Sequence, residues 1–295
     1  MNIEKWVQNN TIHQIIAGSH LYGTSRPDSD VDIRGVCLAP KETLIGLSNF
    51  EQFQKDEPDL VIYELRRFCH LALNANPNIL DILFAPEEVW QVFDSRWMII
   101  YKHRQAFLSQ KVRHTFSGYA ISQLKRICGH RVWLTDPPDH QPTQEEFGGI
   151  WDGSTFQFPK TAREKEYQTA RQKWNQYQKW LAERNPKRAE LEKKYGYDTK
   201  HAGHPVRLMG KAEGLLLFGT YSPRLDSSEL QMVKGVLEGG WEYETLVNWA
   251  ERMDTTIHEM HSPLPNKPNR KLIEKLCIGI YLDEWRNNGN PNSNY

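Results

Sequence analysis

The sequence predicts an α+β fold in which a small sheet near the N-terminus is followed by a largely helical remainder. Short apolar runs with strand-like alternation fall within about the first 100 residues, and the periodicity beyond that point is helical. Hydrophobic residues make up 39% of the 295-residue chain, which is enough to fill a substantial core. The composition therefore excludes a wholly disordered protein.

Three short segments are predicted strands. Residues 11–17 (THQIIAG) form a short apolar run that ends at a glycine. Residues 31–38 (VDIRGVCL) alternate in polarity, which places Asp32 and Arg34 on one face of a second strand. Residues 59–63 (DLVIY) form the third.

The remaining elements are predicted helices. Residues 64–75 (ELRRFCHLALNA) carry apolar side chains at spacings of three and four, and this helix stops before Asn76-Pro77. Further helices are predicted at residues 79–84, 105–127, 162–194, 199–218, 227–238, 242–260 and 269–286. Residues 134–160 are rich in Pro, Gly, Asp and Thr and are predicted to form a long loop, with no strand beyond about residue 100.

The elements divide the chain into two predicted domains and a tail. Residues 1–100 hold the sheet, residues 101–286 form a helical domain, and residues 287–295 (NNGNPNSNY) are a predicted flexible tail. No apolar run approaches the ~20 residues of a membrane span, and the N-terminus lacks the apolar core of a signal peptide. Four scattered cysteines without a C-x-x-C pair favour reduced thiols, so a cytoplasmic protein without membrane contact is expected.

One motif, at residues 18–35 (GSHLYGTSRPDSDVDIRG), combines two features that suggest chemistry. A glycine-serine turn between a strand and a helix presents backbone N–H groups and a hydroxyl to an anion such as phosphate. Asp30 and Asp32 lie two positions apart, so on a strand both carboxylates leave one face, with Cα atoms about 6.5–7 Å apart. Either feature alone is typical of an ordinary loop or an exposed strand. Together they indicate metal-assisted phosphoryl transfer, because Mg²⁺ prefers carboxylates and substrate phosphates as ligands.

This motif resembles the G-S-x(3)-G-T-x(4)-S-D-x-D signature of the DNA polymerase beta-like nucleotidyltransferase superfamily. The matching residues are Gly18, Ser19, Gly23, Thr24, Ser29, Asp30 and Asp32. Residues 59–84 and 195–216 are similar to two further blocks of nucleotidyltransferases linked to bacterial and phage RNA repair, the RlaP-like branch. The loop at residues 134–160 has no counterpart in this resemblance.

The resemblance implies a polymerase-beta-type mixed sheet with flanking helices and three carboxylates. Two of them, Asp30 and Asp32, lie on one strand, and the third lies on a neighbouring strand. Asp59 and Glu64 are the candidates for the third. They face opposite sides of an alternating strand, so at most one can face the pair, and Asp59 fits the branch pattern better. The implied cofactors are two Mg²⁺ ions, with Mn²⁺ as an alternative, held by Asp30, Asp32 and Asp59. The implied substrate is an NTP, whose triphosphate would contact Ser19 and nearby backbone amides.

Four polar side chains share one face of the predicted helix 199–218, at spacings of three, three and four. They are His201, His204, Arg207 and Lys211. One interpretation places them over the nucleotide phosphates, opposite the acidic sheet. Another is a solvated basic stripe. A third combines the two histidines with His258 and His261 in a zinc site, although such sites usually include a carboxylate or thiolate.

The formal net charge is zero, but positive charge is concentrated between residues 160 and 200. This segment holds 12 Lys/Arg and 6 Asp/Glu. Such an excess is typical either of a solvated charged face or of contact with a nucleic-acid backbone. Tyr167, Trp174 and Tyr177 recur there at helical spacing, which predicts a packing seam rather than a base-stacking surface.

The expected function is transfer of a nucleoside monophosphate from an NTP to an acceptor hydroxyl, with release of pyrophosphate. The expected acceptor is an RNA (tRNA-like) 3′ end. Two alternatives remain, namely AMP transfer to a protein side chain and a non-catalytic sensor of nucleotide or RNA. The intact carboxylate pair argues against the sensor, and the basic segment favours a nucleic-acid acceptor over a protein. The base, the acceptor and the oligomeric state are not defined by the sequence.

Overall fold

The computed structural model describes residues 3–47, 49–160 and 162–288. Its main sheet has five strands in the order β3-β4-β2-β1-β5. They are β1 (Thr11–Ile16), β2 (Ile33–Cys37), β3 (Gln52–Lys55), β4 (Leu60–Glu64) and β5 (Trp90–Phe93). Strands β2 and β4 are parallel and the other neighbouring pairs are antiparallel, so the predicted mixed sheet is confirmed.

Six helices accompany the sheet in the first part of the described chain. They are α1 (Ile3–Asn10), α2 (Gly18–Tyr22), α3 (Lys41–Ile45), α4 (Leu65–Leu73), α5 (Pro77–Leu83) and α6 (Ser95–Lys102). Helix α4 begins at the last residue of β4 because the Glu64 carboxylate accepts the backbone N–H groups of Arg66 and Arg67, each at 2.9 Å. Asn76 caps α5 in the same way, and Pro77 occupies its first position.

The rest of the described chain is mainly helical, as predicted. It contains α7 (Val112–Thr135), α8 (Glu164–Glu183), α9 (Pro186–Tyr195), α10 (Thr199–Phe218), α11 (Ser227–Leu237), α12 (Tyr243–Glu259) and α13 (Arg270–Asn288). The prediction of one continuous helix over residues 162–194 is wrong, because the structure has two helices there. Asn185 caps the second helix, and Pro186 has no N–H that could continue the first.

Two further predictions require correction. Residues 104–107 form a separate 3₁₀ turn, so α7 begins at Val112 rather than at residue 105. The loop at 134–160 contains a small hairpin of β6 (Ile150–Trp151) and β7 (Phe156–Gln157), so strands do occur beyond residue 100.

A single hydrophobic cluster connects the sheet with the helices that follow it. It includes Ile15 of β1, Phe68 of α4, Phe116 of α7 and Met209 of α10. Helix α13 then returns to the sheet region: the Tyr281 hydroxyl donates a hydrogen bond to the Glu64 carboxylate, and Glu284 pairs with Arg96. The last helix therefore belongs to the packing of the first part of the chain.

The C-terminal boundary differs slightly from the expected one, because α13 reaches Asn288 rather than ending at residue 286. Residues 289–295 of the predicted tail lie outside the described part of the chain. Within the described ranges, the helices are all too short or too polar to cross a bilayer.

Candidate active site at the start of two parallel strands

Strand pairing brings three parts of the motif to one edge of the sheet. Because β1 and β2 are antiparallel, the end of β1 lies beside the start of β2, where the Ala17 N–H donates to the Asp32 carbonyl at 2.8 Å. Because β2 and β4 are parallel, both begin at this edge, and the Ile33 N–H donates to the Asp59 carbonyl at 2.7 Å. Gly18, Asp32 and Asp59, although separated in sequence, are therefore neighbours.

Gly18 lies directly against the Asp32 side chain. Its φ of +60° lies in the left-handed region that favours glycine, and a Cβ built there would lie 1.8 Å from Asp32 Oδ2. Helix α2 starts at this residue, so the first backbone N–H groups of α2 have no acceptor within the helix. The glycine thus allows a carboxylate and a helix start to approach each other closely.

The two carboxyl groups at this edge form a coupled pair. Burial raises the pKa of Asp32, and the hydrogen bond to Asp59 raises it further. The pKa of Asp59 is lowered, chiefly by Arg34. The Arg34 guanidinium donates to both Asp59 carboxylate oxygens, at 2.9 and 3.0 Å, and lies 4.0 Å from Asp32 Oδ1. Asp32 is the member of the pair that retains a proton more readily.

The third predicted carboxylate, Asp30, is placed differently. It is exposed on the extended segment that precedes β2, so the ladder of the sheet does not fix its direction. In the described ranges, no three His, Cys, Asp or Glu side chains come together closely enough to hold a metal ion. Asp32 and Asp59 supply hard oxygen donors of the kind that a divalent ion such as Mg²⁺ prefers.

Glu64, the alternative to Asp59, lies at the opposite end of β4. Its carboxylate is fully buried, caps α4 and accepts a hydrogen bond from Tyr281. Glu64 therefore has a structural role, and its carboxylate lies away from Asp32.

The other predicted loop residues shape the turn between α2 and β2. Gly23 ends α2 with a φ of +81°, and the Thr24 N–H donates to the Ser19 carbonyl at 2.9 Å. The Ser29 hydroxyl oxygen accepts the Arg26 N–H at 2.8 Å and closes the next turn.

Two of the four predicted phosphate-binding residues on α10 lie in the interior. Arg207 is buried, with Nη1 3.3 Å from Asp81 Oδ2 and its guanidinium 3.8 Å from the centre of the Tyr22 ring. Lys211 is also buried, with Nζ 2.6 Å from Glu229 Oε2. Each of these two cations is paired with a buried or partly buried carboxylate, so neither belongs to a solvated stripe or to an open phosphate site.

The two histidines lie nearer the start of α10. His201 accepts a hydrogen bond at Nδ1 from Arg188, at 3.1 Å, whereas His204 is exposed. His258 contacts His114 instead, with ring centres 5.4 Å apart. The alternative zinc site of four histidines is not assembled in the part of the chain that the structure describes.

Sequence reasoning assigned no functional role to Arg34 or to the group around Asp81. A signal for Arg34 was available, because it lies two residues after Asp32 and therefore on the same strand face. Asp81 accepts hydrogen bonds from the hydroxyls of Tyr22 and Tyr221, at 2.9 and 2.5 Å. These contacts join α5, α2 and the segment after α10, and the sequence carries no local signal for them.

Comparison with known proteins agrees with this geometry. Residues 1–134 match the family described as RlaP, the RNA repair pathway DNA polymerase beta family. This match covers less than half of the 295-residue chain, so it is a similarity of the N-terminal region to that family. The matched region contains Gly18, Asp32 and Asp59, and it extends through most of α7.

Two individual proteins also align with this chain. An uncharacterized 38.9 kDa protein from the nrdC-mobD intergenic region of Enterobacteria phage T4 is 31% identical over 137 residues, which is 41% of this chain. The match spans 40% of the phage protein's length. A nucleotidyltransferase-like protein from Exiguobacterium sibiricum 255-15 aligns over 97% of this chain and 75% of its own, with 12% identity and a TM-score of 0.27.

Proposed function

We propose that this protein is a metal-dependent nucleotidyltransferase. It transfers a nucleoside monophosphate from an NTP to the 3′ hydroxyl of an RNA and releases pyrophosphate. The observation that carries the proposal is the pair of neighbouring carboxylates, Asp32 and Asp59, at the start of two parallel strands and against Gly18. The RlaP match of the same region supports it.

In this proposal Asp32 and Asp59 hold a divalent ion. The ion, Mg²⁺ or Mn²⁺, would neutralise phosphate charge and lower the pKa of the acceptor hydroxyl. The raised pKa of Asp32 fits this role, because two carboxylates in contact need a shared proton or a cation between them. Asp30 is proposed as a further ligand from the matched D-x-D motif, and two ions are proposed on the same basis.

Arg34 keeps Asp59 in position and charged. Its two hydrogen bonds fix the Asp59 carboxylate in one plane, and its charge favours the ionised form that a cation needs. The Arg34 side chain is partly exposed, and a contact with the triphosphate is proposed for it as well. Ser19 and the first N–H groups of α2 are proposed to contact the phosphates as well.

The two predicted domains have different proposed roles. We propose that residues 1–100 carry the reaction and that residues 101–286 complete the binding surface for nucleotide and acceptor. The buried pair of Arg207 and Asp81 joins the two parts, because it fixes α10 against α2 and α5. Arg207 and Lys211 then act on the site through packing rather than through the phosphates.

The test measures transfer from each labelled NTP, with Mg²⁺ or Mn²⁺, to RNA or to protein. Asp32→Asn and Asp59→Asn should each lower the rate roughly a thousandfold or more, because each removes metal-held charge at the reacting phosphate. Asp28→Asn is the matched control, since Asp28 is an exposed carboxylate of the same loop. Circular dichroism of every variant checks folding.

Near-native transfer by Asp32→Asn or Asp59→Asn would contradict the proposed site. Labelling of protein instead of RNA would identify the alternative acceptor class. Absence of transfer from every NTP to either acceptor would overturn the proposed activity.

A further inference from the structure

A second candidate site lies in the helical part of the chain. A cavity of about 770 Å³ opens between α7, α8, α9 and the start of α10. Its lining includes Arg126, His130, Trp133, Trp180, Arg188 and His201. Gly18, Asp32 and Asp59 do not line it. The volume is in the range of cavities that bind small organic ligands.

One wall of the cavity is aromatic. His130 and Trp133 are stacked, with ring centres 5.6 Å apart and planes at 20°. Trp180 of α8 packs against both of them, at 5.3 Å from Trp133 and 5.6 Å from His130. All three rings are only partly buried and line the cavity, and the Arg184 guanidinium lies over the Trp180 ring, 4.5 Å from its centre. Such a surface is suited to stacking with a nucleobase.

The cavity also has an excess of positive charge. Five cations and three carboxylates line it. Four of the cations have carboxylate partners: Lys179 with Glu183, Arg131 with Glu244, Arg184 with Glu192, and Arg188 with Asp198. Arg126 is exposed, and its side chain has no ion pair or hydrogen bond with any residue that the structure describes. Its charge is therefore available to an anion.

His201 adds a hydrogen-bond donor to the same cavity. Arg188 donates to Nδ1, so in the neutral ring the proton is on Nε2. Nε2 is buried and has no partner in the described part of the protein. Burial lowers the pKa of His201, which keeps the ring neutral near pH 7. Among the described residues this donor is unsatisfied, so a phosphate oxygen that reached it would gain a hydrogen bond.

We propose that this cavity binds one nucleotide of a single-stranded nucleic acid. The base stacks on Trp133 and Trp180, and the adjoining phosphate contacts Arg126 and Nε2 of His201. A strand is preferred to a free nucleotide because helices that line the cavity carry further exposed cations, Lys173 of α8 and Lys187 of α9. This binding does not depend on the proposed transfer activity; where both hold, the cavity positions the acceptor strand.

Fluorescence anisotropy of a labelled, unstructured oligonucleotide tests the proposal with the full-length protein. EDTA is present and NTP is absent, and both RNA and DNA of one sequence are used between about 50 and 200 mM salt. Binding of either strand supports the site. Absence of binding to both at the lowest salt overturns it.

Variants at Arg126 test the phosphate contact. Arg126→Gln should weaken binding about tenfold and reduce the slope of log affinity against log salt by about one. Arg126→Lys should keep the slope because it keeps the charge. Arg252→Gln, an exposed arginine of α12, is the control for loss of one positive charge elsewhere. If Arg126→Gln and Arg252→Gln behave alike, the phosphate contact is refuted.

Variants at Trp180 test the base contact. Trp180→Leu should weaken binding about tenfold with an unchanged salt slope, and Trp180→Phe should restore part of the affinity through its ring. Equal binding by the leucine variant and the native protein would refute stacking. Competition by AMP as effective as that by the unlabelled strand would overturn the assignment to a strand.

Asp32→Asn separates this inference from the proposed function. It should bind the oligonucleotide with native affinity while losing nucleotide transfer. Binding without any transfer activity leaves the cavity assignment standing and rejects the proposed reaction. Transfer to RNA with unchanged kinetics in Arg126→Gln and Trp180→Leu rejects the cavity as the position of the acceptor.

Discussion

Replacement of Gly18 by alanine would place a methyl group where the Asp32 carboxylate now lies. The added Cβ would lie 1.8 Å from Asp32 Oδ2, whereas real Cβ contacts essentially never fall below 3.0 Å. The carboxylate must therefore move by about 1 Å or more. The glycine backbone cannot easily give way instead, because it is fixed between β1 and α2.

The expected effects on stability and on activity differ in size. Alanine at a φ of +60° carries a backbone penalty of about 1–2 kcal/mol. In a chain of this size, 1 kcal/mol lowers Tm by roughly 2–4 °C. A displacement of about 1 Å in a catalytic group can lower the rate about a hundredfold. We therefore expect Gly18→Ala to lose about two orders of magnitude in nucleotide transfer with only a modest fall in Tm.

Gly196→Ala provides the matched control. Gly196 ends α9 with a φ of +79°, and a Cβ there would have nothing within 4 Å, so the variant carries similar backbone strain without a clash. Transfer rates and thermal unfolding of both variants are measured, together with the rise in Tm that Mg²⁺ produces. If Gly18→Ala keeps both native transfer and the native response to Mg²⁺, the close contact with Asp32 has no functional role.

Two further predictions concern charges that the fold has buried or paired. Arg207→Met leaves the Asp81 carboxylate buried without its cation. In urea titrations, this variant should reduce the free energy of unfolding by about 3–5 kcal/mol. Adding Asp81→Asn to the same chain should recover part of that loss. A loss below about 1 kcal/mol in the single variant would show that the pair is not needed for packing. Asp32→Asn should raise Tm at pH 8. The folded-state pKa of Asp32 lies above its ordinary value, so ionisation of Asp32 at high pH destabilises the folded protein, and the asparagine variant avoids this cost. The gain in Tm should vanish when the pH falls below the ordinary pKa of an aspartate. Asp59→Asn should lower Tm at pH 8, because Arg34 lowers the folded-state pKa of Asp59 and so stabilises its ionised form. This loss of Tm should shrink as the pH falls through the titration of Asp59. Equal shifts of Tm in both variants would contradict the opposite pKa shifts assigned to Asp32 and Asp59.

The sequence predicted the strands that lie inside the sheet better than those at its edges. β1, β2 and β4 are flanked on both sides, and their apolar runs mark them clearly. β3 (QFQK) and β5 (WQVF) pair with only one neighbour each, and most of their side chains are exposed. Their formation depends on backbone hydrogen bonds that any sequence can make, so composition carried no signal for them.

The same limit applies to the α10 residues. Spacing showed that Arg207 and Lys211 share a face, but it could not show what covers that face. Their partners, Asp81 and Glu229, are respectively 126 residues before Arg207 and 18 residues after Lys211. The proximity of Asp59 to Asp32 was different, because it follows from the pairing of two strands that were each predicted.

The return of α13 to the sheet has a consequence for the order in which the protein can fold. The hydrogen bond from Tyr281 to Glu64 joins residues 217 positions apart, and Glu64 is the buried cap on which α4 begins. During synthesis, the region up to residue 134 leaves the ribosome long before this partner exists. Until α13 is made, the Glu64 carboxylate lacks the hydrogen bond from Tyr281, and the side of α4 that α13 contacts is uncovered. A contact of such long range also slows folding, since a large loop must close before the contact forms. Residues 1–134 therefore reach their final packing only when the last helix has been made and has docked.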